Sequence, residues 1–193
     1  MRMAPRPRRQ PEPGAALRPA AALLLIYPQR EDWYIPLTVR RSELRHHSGQ
    51  VSLPGGRLDH PDESVEHAAL REAFEEIGVR PTDVDVLGRL TPLPIAVSGH
   101  VLHPVVAAMT VRPAFVIADA EVERLIELPV THLLRPDAVA WEQQVRALPS
   151  AVTIDVPYFD AAGARVWGAT AMVLSEFVAL VADVYSRRSR PFT

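Results

Sequence analysis

Residues 53–79 read LPGGRLDHPDESVEHAALREAFEEIGV, and their reading decides the fold. Leu70, Phe74 and Ile77 recur at i, i+4 and i+7, which predicts a helix over 64–77 with one apolar face. Asp62 or Ser64 caps its start, Gly78 ends it in a left-handed conformation, and Pro81 forbids resumption. At 100° per residue, Glu72 and Glu76 stand one turn apart with Glu75 beside them, on the face opposite those apolar residues.

Three carboxylates in one turn repel by roughly 0.2–0.5 kcal/mol per pair. Those near the helix C-terminus also meet the unfavourable end of the dipole. A hard divalent cation, magnesium or manganese, turns this clustering into an advantage, because it takes oxygen ligands from a rigid element. A solvated acidic face is the alternative reading, and the helix alone leaves both open. Arg71 stands at i, i+4 to Glu75, where it can hold that side chain. Upstream, Gly55 and Gly56 allow the backbone to approach a ligand closely and leave a carbonyl for a metal; an ordinary turn is the alternative.

Outward from this stretch, apolar runs bounded by turn residues predict strands at about 20–27, 33–40, 84–90 and 101–111. A second long helix is expected over 168–185 and a shorter one over 120–126, with residues 129–165 as loop and edge strand. The 193 residues form one domain over 19–188, between an Arg/Pro-rich flexible tail (1–18) and a flexible end (189–193). Helices set among strands in one small chain imply an α/β class domain, layered α/β/α around a mixed sheet.

Composition narrows the chemistry. With no cysteine, disulfide frameworks, thiolate zinc sites and cysteine nucleophiles are excluded. All the basic residues are arginine, so Schiff-base lysine chemistry and a lysine-dependent phosphate loop are excluded too. A net charge of −2 gives no global pull toward nucleic acid or anionic membrane. The apolar run 20–27 is too short to span a bilayer. His46, His47, His100 and His103 lack the paired helical spacing of a transition-metal set, and Trp33, Trp141 and Trp167 read as packing residues.

Gly56, Glu63 and Arg71-Glu72-Ala73-Phe74-Glu75-Glu76-Ile77-Gly78-Val79 resemble the Nudix box, G-x5-E-x7-R-E-U-x-E-E-x-G-U. Here six residues separate Gly56 from Glu63, and Ala73 fills the first aliphatic position. That longer spacing, with Gly55, Gly56, Asp59 and Asp62, resembles the coenzyme A pyrophosphatase subgroup, whose box begins GG-x-x-D-x-x-D. Pro36-Leu37-Thr38-Val39-Arg40-Arg41, Arg45, Gly49 and Leu53-Pro54-Gly55-Gly56 resemble the subgroup's upstream signature, L-L-T-x-R-[S/A]-x3-R-x3-G-x3-F-P-G-G. The chain departs from it at Pro36, Arg41 and Leu53. Ser98-Gly99 with His103-Pro104-Val105-Val106, and Val166-Trp167-Gly168-Ala169-Thr170-Ala171, resemble two further subgroup segments. The resemblance covers about residues 20–180.

The resemblance implies a Nudix-like α/β/α sandwich and metal-dependent hydrolysis of a nucleoside diphosphate-linked substrate. Coenzyme A or a derivative would give 3′,5′-ADP and 4′-phosphopantetheine. Glu72 and Glu76 would hold Mg2+ or Mn2+, with help from Glu75 and the Gly56 carbonyl. Arg40, Arg45 and Gly55 would bind substrate phosphate. Glu75 and Glu121 would be the catalytic carboxylates, with Glu121 as general base and Glu123 and Glu127 as rivals. Rival readings are a Nudix hydrolase of ADP-ribose, NADH or dinucleoside polyphosphates, and a non-catalytic nucleotide- or RNA-binding module. The expected setting is cytoplasmic, with a small nucleotide as substrate, no membrane or nucleic-acid partner, and a homodimer left open.

Overall fold

The apolar run beginning at Ala20 is long enough to be buried on both faces, and in the computed structural model it is β1 (Arg18–Gln29). The model describes residues 3–8, 10–41, 49–60, 64–148 and 150–188. After β1 come β2 (Asp32–Arg40), β3 (Val51–Ser52), β4 (Gly55–Arg57) and α1 (Val65–Ile77). Then follow β5 (Asp85–Arg89), β6 (Leu93–Ile95), β7 (His100–Ala108), β8 (Val122–Pro129) and α2 (Val130–Leu134). The chain continues through β9 (Val139–Leu148), β10 (Ser150–Ala161), β11 (Ala164–Trp167) and α3 (Gly168–Arg188).

β1 pairs in parallel with β7 and antiparallel with β2 and β4, so the central sheet is mixed. Its order is β3-β2-β1-β7-β5, with β4 on β1, β6 on β7 and β8 on β2. Alternate residues of β1 feed two cores. Ala21, Leu23, Leu25 and Tyr27 face α1, with Val105 and Ala107 of β7. Ala22 and Leu24 face the other layer, with Leu128 of β8 and Met172 and Leu174 of α3. Helices thus cover both faces of a mixed sheet, the α/β arrangement expected.

β1 and β2 are joined as a hairpin at Tyr27–Gln29 and Asp32–Tyr34, then diverge. The Leu53–Arg57 stretch enters the gap. Leu23 donates its N–H to the Pro54 carbonyl at 2.8 Å, and Gly55–Arg57 pairs with Ala20–Ala22. The glycines are thereby fixed in a sheet beside α1 rather than left in a free turn.

Three expectations are corrected. Residues 120–126 are not a helix: Val122 starts β8, which pairs with β2 along Tyr34–Arg40. Val122, Leu125 and Ile126 fit a helical period as well as a strand, and the β2 partner decides. Residues 129–165 are not loop with an edge strand but α2, the long β9–β10 hairpin and the start of β11. Pro157 lies within β10 opposite Trp141, although proline supplies no N–H to a ladder. The tail is not free either. Met3 is fully buried in the α3-side core, Arg6 and Asp155 exchange both backbone hydrogen bonds, and Arg8 donates to the Pro94 carbonyl. Trp33 and Trp141 are about half exposed, and Arg6 stacks over Trp141. Among the described residues no helix is long and apolar enough to cross a membrane.

Candidate active site

α1 starts where the sequence places it. The Ser64 hydroxyl accepts from the His67 amide at 3.1 Å, and Gly78 closes the helix at φ +73°. Asp62, the other cap candidate, and Glu63 of the box lie outside the described residues. The buried face differs from the one expected. It consists of Val65, Ala68, Ala69, Ala73, Glu76 and Ile77, while Phe74 is 52% exposed. Positions 65, 68, 69, 72, 73 and 76 form one continuous stripe at helical spacing. Alanines let the helix lie close to β1 and β4, and this turns Glu72 and Glu76 inward with them.

Glu76 is only 5% exposed, and its Oε2 has no hydrogen-bond partner. Burial first, and then the Glu72 carboxylate, push its pKa up to about 8. Arg40 acts in the opposite direction, the nearby Glu121 adds to the rise, and a hydrogen bond from the Gly55 backbone lowers it. Glu72 is also raised, by burial first, with the Arg71 charge opposing. Its carboxylate lies against Gly56, where a Cβ would collide with it. Gly55 is more strictly constrained, because a Cβ there would strike the backbone of Ala21 and Ala22. Gly55 therefore needs glycine for close approach to β1, whereas a Cβ at Gly56 would displace the Glu72 carboxylate.

Arg71 organises the rim. It donates to Glu72 at 3.0 Å, to Glu75 at 3.2 Å and to the Arg57 carbonyl at 2.9 Å, tying α1 to β4. Glu75 is accordingly held outward, 55% exposed on its side chain. Arg40 stands at a bulge in the β2–β8 pairing with its Nε buried and unpartnered. Arg45 lies outside the described residues. Glu121 precedes β8, with its carbonyl bonded to the Arg41 amide. The fold therefore gathers Gly55, Gly56, Glu72, Glu76, Arg40 and Glu121, while Glu75 stays at the edge.

The rival bases separate cleanly. Glu123 is exposed on β8. Glu127 is committed to Arg112 and to the Tyr27 hydroxyl, and Arg112 first of all lowers its pKa. Sequence reading singled out neither Arg112 nor Tyr27. They lie 15 and 100 positions from Glu127, so no local spacing could signal the set. His46 and His47 fall outside the described residues; His100 and His103, three apart on β7, point to opposite faces.

Among the described residues no three acidic or histidine side chains already converge as a metal-ligand set. The pair at the centre nevertheless fits a cation. An unpartnered, buried carboxylate oxygen on Glu76 faces the carboxylate of Glu72, and both groups are raised by burial and by like charge.

Residues 16–148 match the family model described as the NUDIX domain. The chain belongs to the Nudix family. It is 38% identical over 118 residues to the uncharacterized Nudix hydrolase NudL of an Enterobacter species, a match spanning 61% of each chain. It is also 38% identical over 134 residues to NudL of Yersinia enterocolitica, spanning 68% of each. The chain thus spans about three-fifths to two-thirds of the length of these relatives. A Nudix hydrolase from M. smegmatis, RenU, shares the fold at TM-score 0.57 and 16% identity, over 91% of this chain and 90% of that one. Nudix hydrolases generally use divalent metal ions.

Proposed function

We propose that this Nudix chain hydrolyses the diphosphate linkage of a nucleoside diphosphate-linked small molecule, with coenzyme A or a derivative as substrate. The observation that carries the reaction class is the buried Glu76 carboxylate with its unpartnered oxygen, set beside Glu72 against the Gly55–Gly56 backbone. A module that only bound nucleotides would gain nothing from two like charges withdrawn from water, a costly arrangement without a counter-charge. The Nudix hydrolase names of the relatives support the same reading.

Glu72 and Glu76 would hold Mg2+ or Mn2+, assisted by the Gly56 carbonyl and by Glu75 once it leaves Arg71. Such an ion, when bound, neutralises phosphate charge and lowers the pKa of coordinated water. The chain's own residues do the rest. Arg40, with its buried Nε unpaired, and Arg45 donate to phosphate oxygens, and Gly55 lets the diphosphate approach the backbone. Glu121, exposed and within the electrostatic reach of Glu76, takes the proton from the attacking water. Positioning and charge neutralisation, rather than covalent chemistry, supply the rate.

The coenzyme A assignment rests on the resemblance of the upstream, middle and C-terminal segments, from Pro36 to Ala171. Its test is product analysis by mass spectrometry, with Mg2+ or Mn2+ and a panel of coenzyme A, 3′-dephospho-coenzyme A, ADP-ribose, NADH and diadenosine polyphosphates. Release of 3′,5′-ADP and 4′-phosphopantetheine, with coenzyme A preferred about ten- to a hundred-fold over its dephospho form, is expected from a charge-assisted contact to the added phosphate. Faster cleavage of ADP-ribose overturns the substrate and keeps the reaction. No cleavage of any member with either metal overturns the hydrolase reading.

A further inference from the structure

Residues 109–121, between β7 and β8, carry no helix or strand, yet they are held at both ends. At the far end the loop crosses the C-terminus of α1. Val116 donates its N–H to the Ile77 carbonyl at 3.1 Å, and Ala118 donates to the Glu76 carbonyl at 2.9 Å. These amides satisfy carbonyls that a helix end leaves without partners. The Glu121 and Val122 amides then both bond to the Ala118 carbonyl, closing the turn that delivers Glu121. The loop thus touches the residue that supplies the most buried carboxylate of the site.

At the near end Arg112 grips β8. Its Nε and Nη2 donate to Glu127 at 2.8 and 2.7 Å, a two-pronged pairing that fixes orientation as well as distance. The Tyr27 hydroxyl, on a fully buried ring of β1, donates to the same carboxylate at 2.7 Å. Phe115 packs edge-on against Tyr27 with ring centroids 5.5 Å apart, and the Arg112 guanidinium lies over Phe115 at 5.3 Å. Strand β1, strand β8 and the loop therefore meet in one closed set of contacts, in which Phe115 immediately precedes the first amide that caps α1.

We propose that Arg112, Glu127 and Tyr27 form a positioning latch that holds loop 109–121 across the end of α1 and so sets Glu121 against Glu76, an inference that rests on Glu121 serving in the hydrolysis. None of the three reaches the site itself. Releasing the latch leaves the carboxylate pair and the glycine turn in place but lets Glu121 wander, and small misplacements of a reacting group cost one to two orders of magnitude in rate.

The test measures steady-state kinetics on whichever substrate the panel identifies, together with amide exchange at Ala118, for Arg112→Gln, Arg112→Lys, Glu121→Gln and the double variant Arg112→Gln/Glu121→Gln. Arg112→Gln is expected to lower kcat about ten-fold or more with KM within about two-fold, and to speed exchange at Ala118. Arg112→Lys recovers part of the rate, since it keeps the charge without the fork. The double variant is no slower than Glu121→Gln alone, because the latch acts only through Glu121. Wild-type turnover in Arg112→Gln beside a slow Glu121→Gln, or losses that multiply in the double variant, overturns the proposal. Full turnover in Glu121→Gln instead removes the base assignment; exchange at Ala118 then decides the latch, upheld if faster in Arg112→Gln and overturned if unchanged. Should Arg112→Gln not fold, Glu127→Gln repeats each comparison while keeping an acceptor for Tyr27.

Discussion

Two glutamates, the buried Glu76 and the partly exposed Glu127, sit at opposite ends of loop 109–121 and have opposite electrostatics. Glu127 receives a bidentate arginine and a tyrosine hydroxyl, and its pKa falls below the usual carboxylate range. Glu76 has a carboxylate neighbour and an oxygen with no partner, and burial lifts it to about 8. A carboxylate that serves the fold is paired by the fold. Glu76, left unpaired and more deeply buried, is held at a cost that only an incoming charge offsets. The difference separates scaffold from site more sharply than either residue's position in the sequence.

The largest effect should come from erasing the unpaired member. Glu76→Gln is expected to lower turnover about a hundred-fold or more while leaving the fold intact, checked by kinetics beside circular dichroism. Its stability should move the other way. A folded pKa near 8 against about 4.5 unfolded means the protonated form is favoured in the folded state. That contribution is present below about pH 4.5 and lost as pH rises toward 8. Metal-free wild type should therefore lose roughly 2–5 kcal/mol across that window from this group. Thermal melts of Glu76→Gln should show a flatter profile and a higher melting temperature at pH 8. A lower one would mean that Glu76 is a satisfied structural residue like Glu127.

Removing the paired member should act on stability first. Glu127→Ala strands Arg112 and the buried Tyr27 hydroxyl, and a loss of about 1–3 kcal/mol is expected by denaturant titration, Arg112 being partly solvated. Deleting residues 1–8 is expected to cost about 2 kcal/mol, because it exposes the pocket of fully buried Met3 and removes the Arg6–Asp155 backbone pair; unchanged melting would mean the arm is dispensable. The smallest effect should be Gly78→Ala, about 1 kcal/mol, since φ is +73° there and a Cβ would lie 3.0 Å from that of Val116.

Much of this was legible in residues 53–79. The helix limits, the Gly78 terminus and the Arg71–Glu75 contact follow from local spacing, and local spacing is what a helix obeys. The buried face did not follow, because Phe74 and Leu70 outweigh alanines by hydrophobicity alone. The alanine stripe matters through how closely it lets β1 and β4 approach, a tertiary fact. β8 and the β9–β10 hairpin were missed for the same reason: partners far along the chain choose strand over helix or loop. The Nudix motifs grouped Gly55, Gly56, Glu72, Glu76 and Arg40, whereas Glu121 was one of three downstream candidates that no motif distinguished, and spacing could not say that Glu75 would be turned outward by Arg71.

The parallel pairing of β1 with β7, from Arg18 opposite His100 to Ile26 opposite Ala108, is a contact of long sequence separation. β1, β4 and α1 lie within one continuous stretch of chain and can meet early. The loop that bears Glu121 follows β7 and is anchored only once that distant strand has joined the sheet. Contacts over so long a separation form slowly, since loop-closure entropy is lost before they stabilise anything. The helix that carries the carboxylate pair thus lies near β1 and β4 in the chain, whereas the loop that carries Glu121 follows a pairing between residues as far apart as Arg18 and His100.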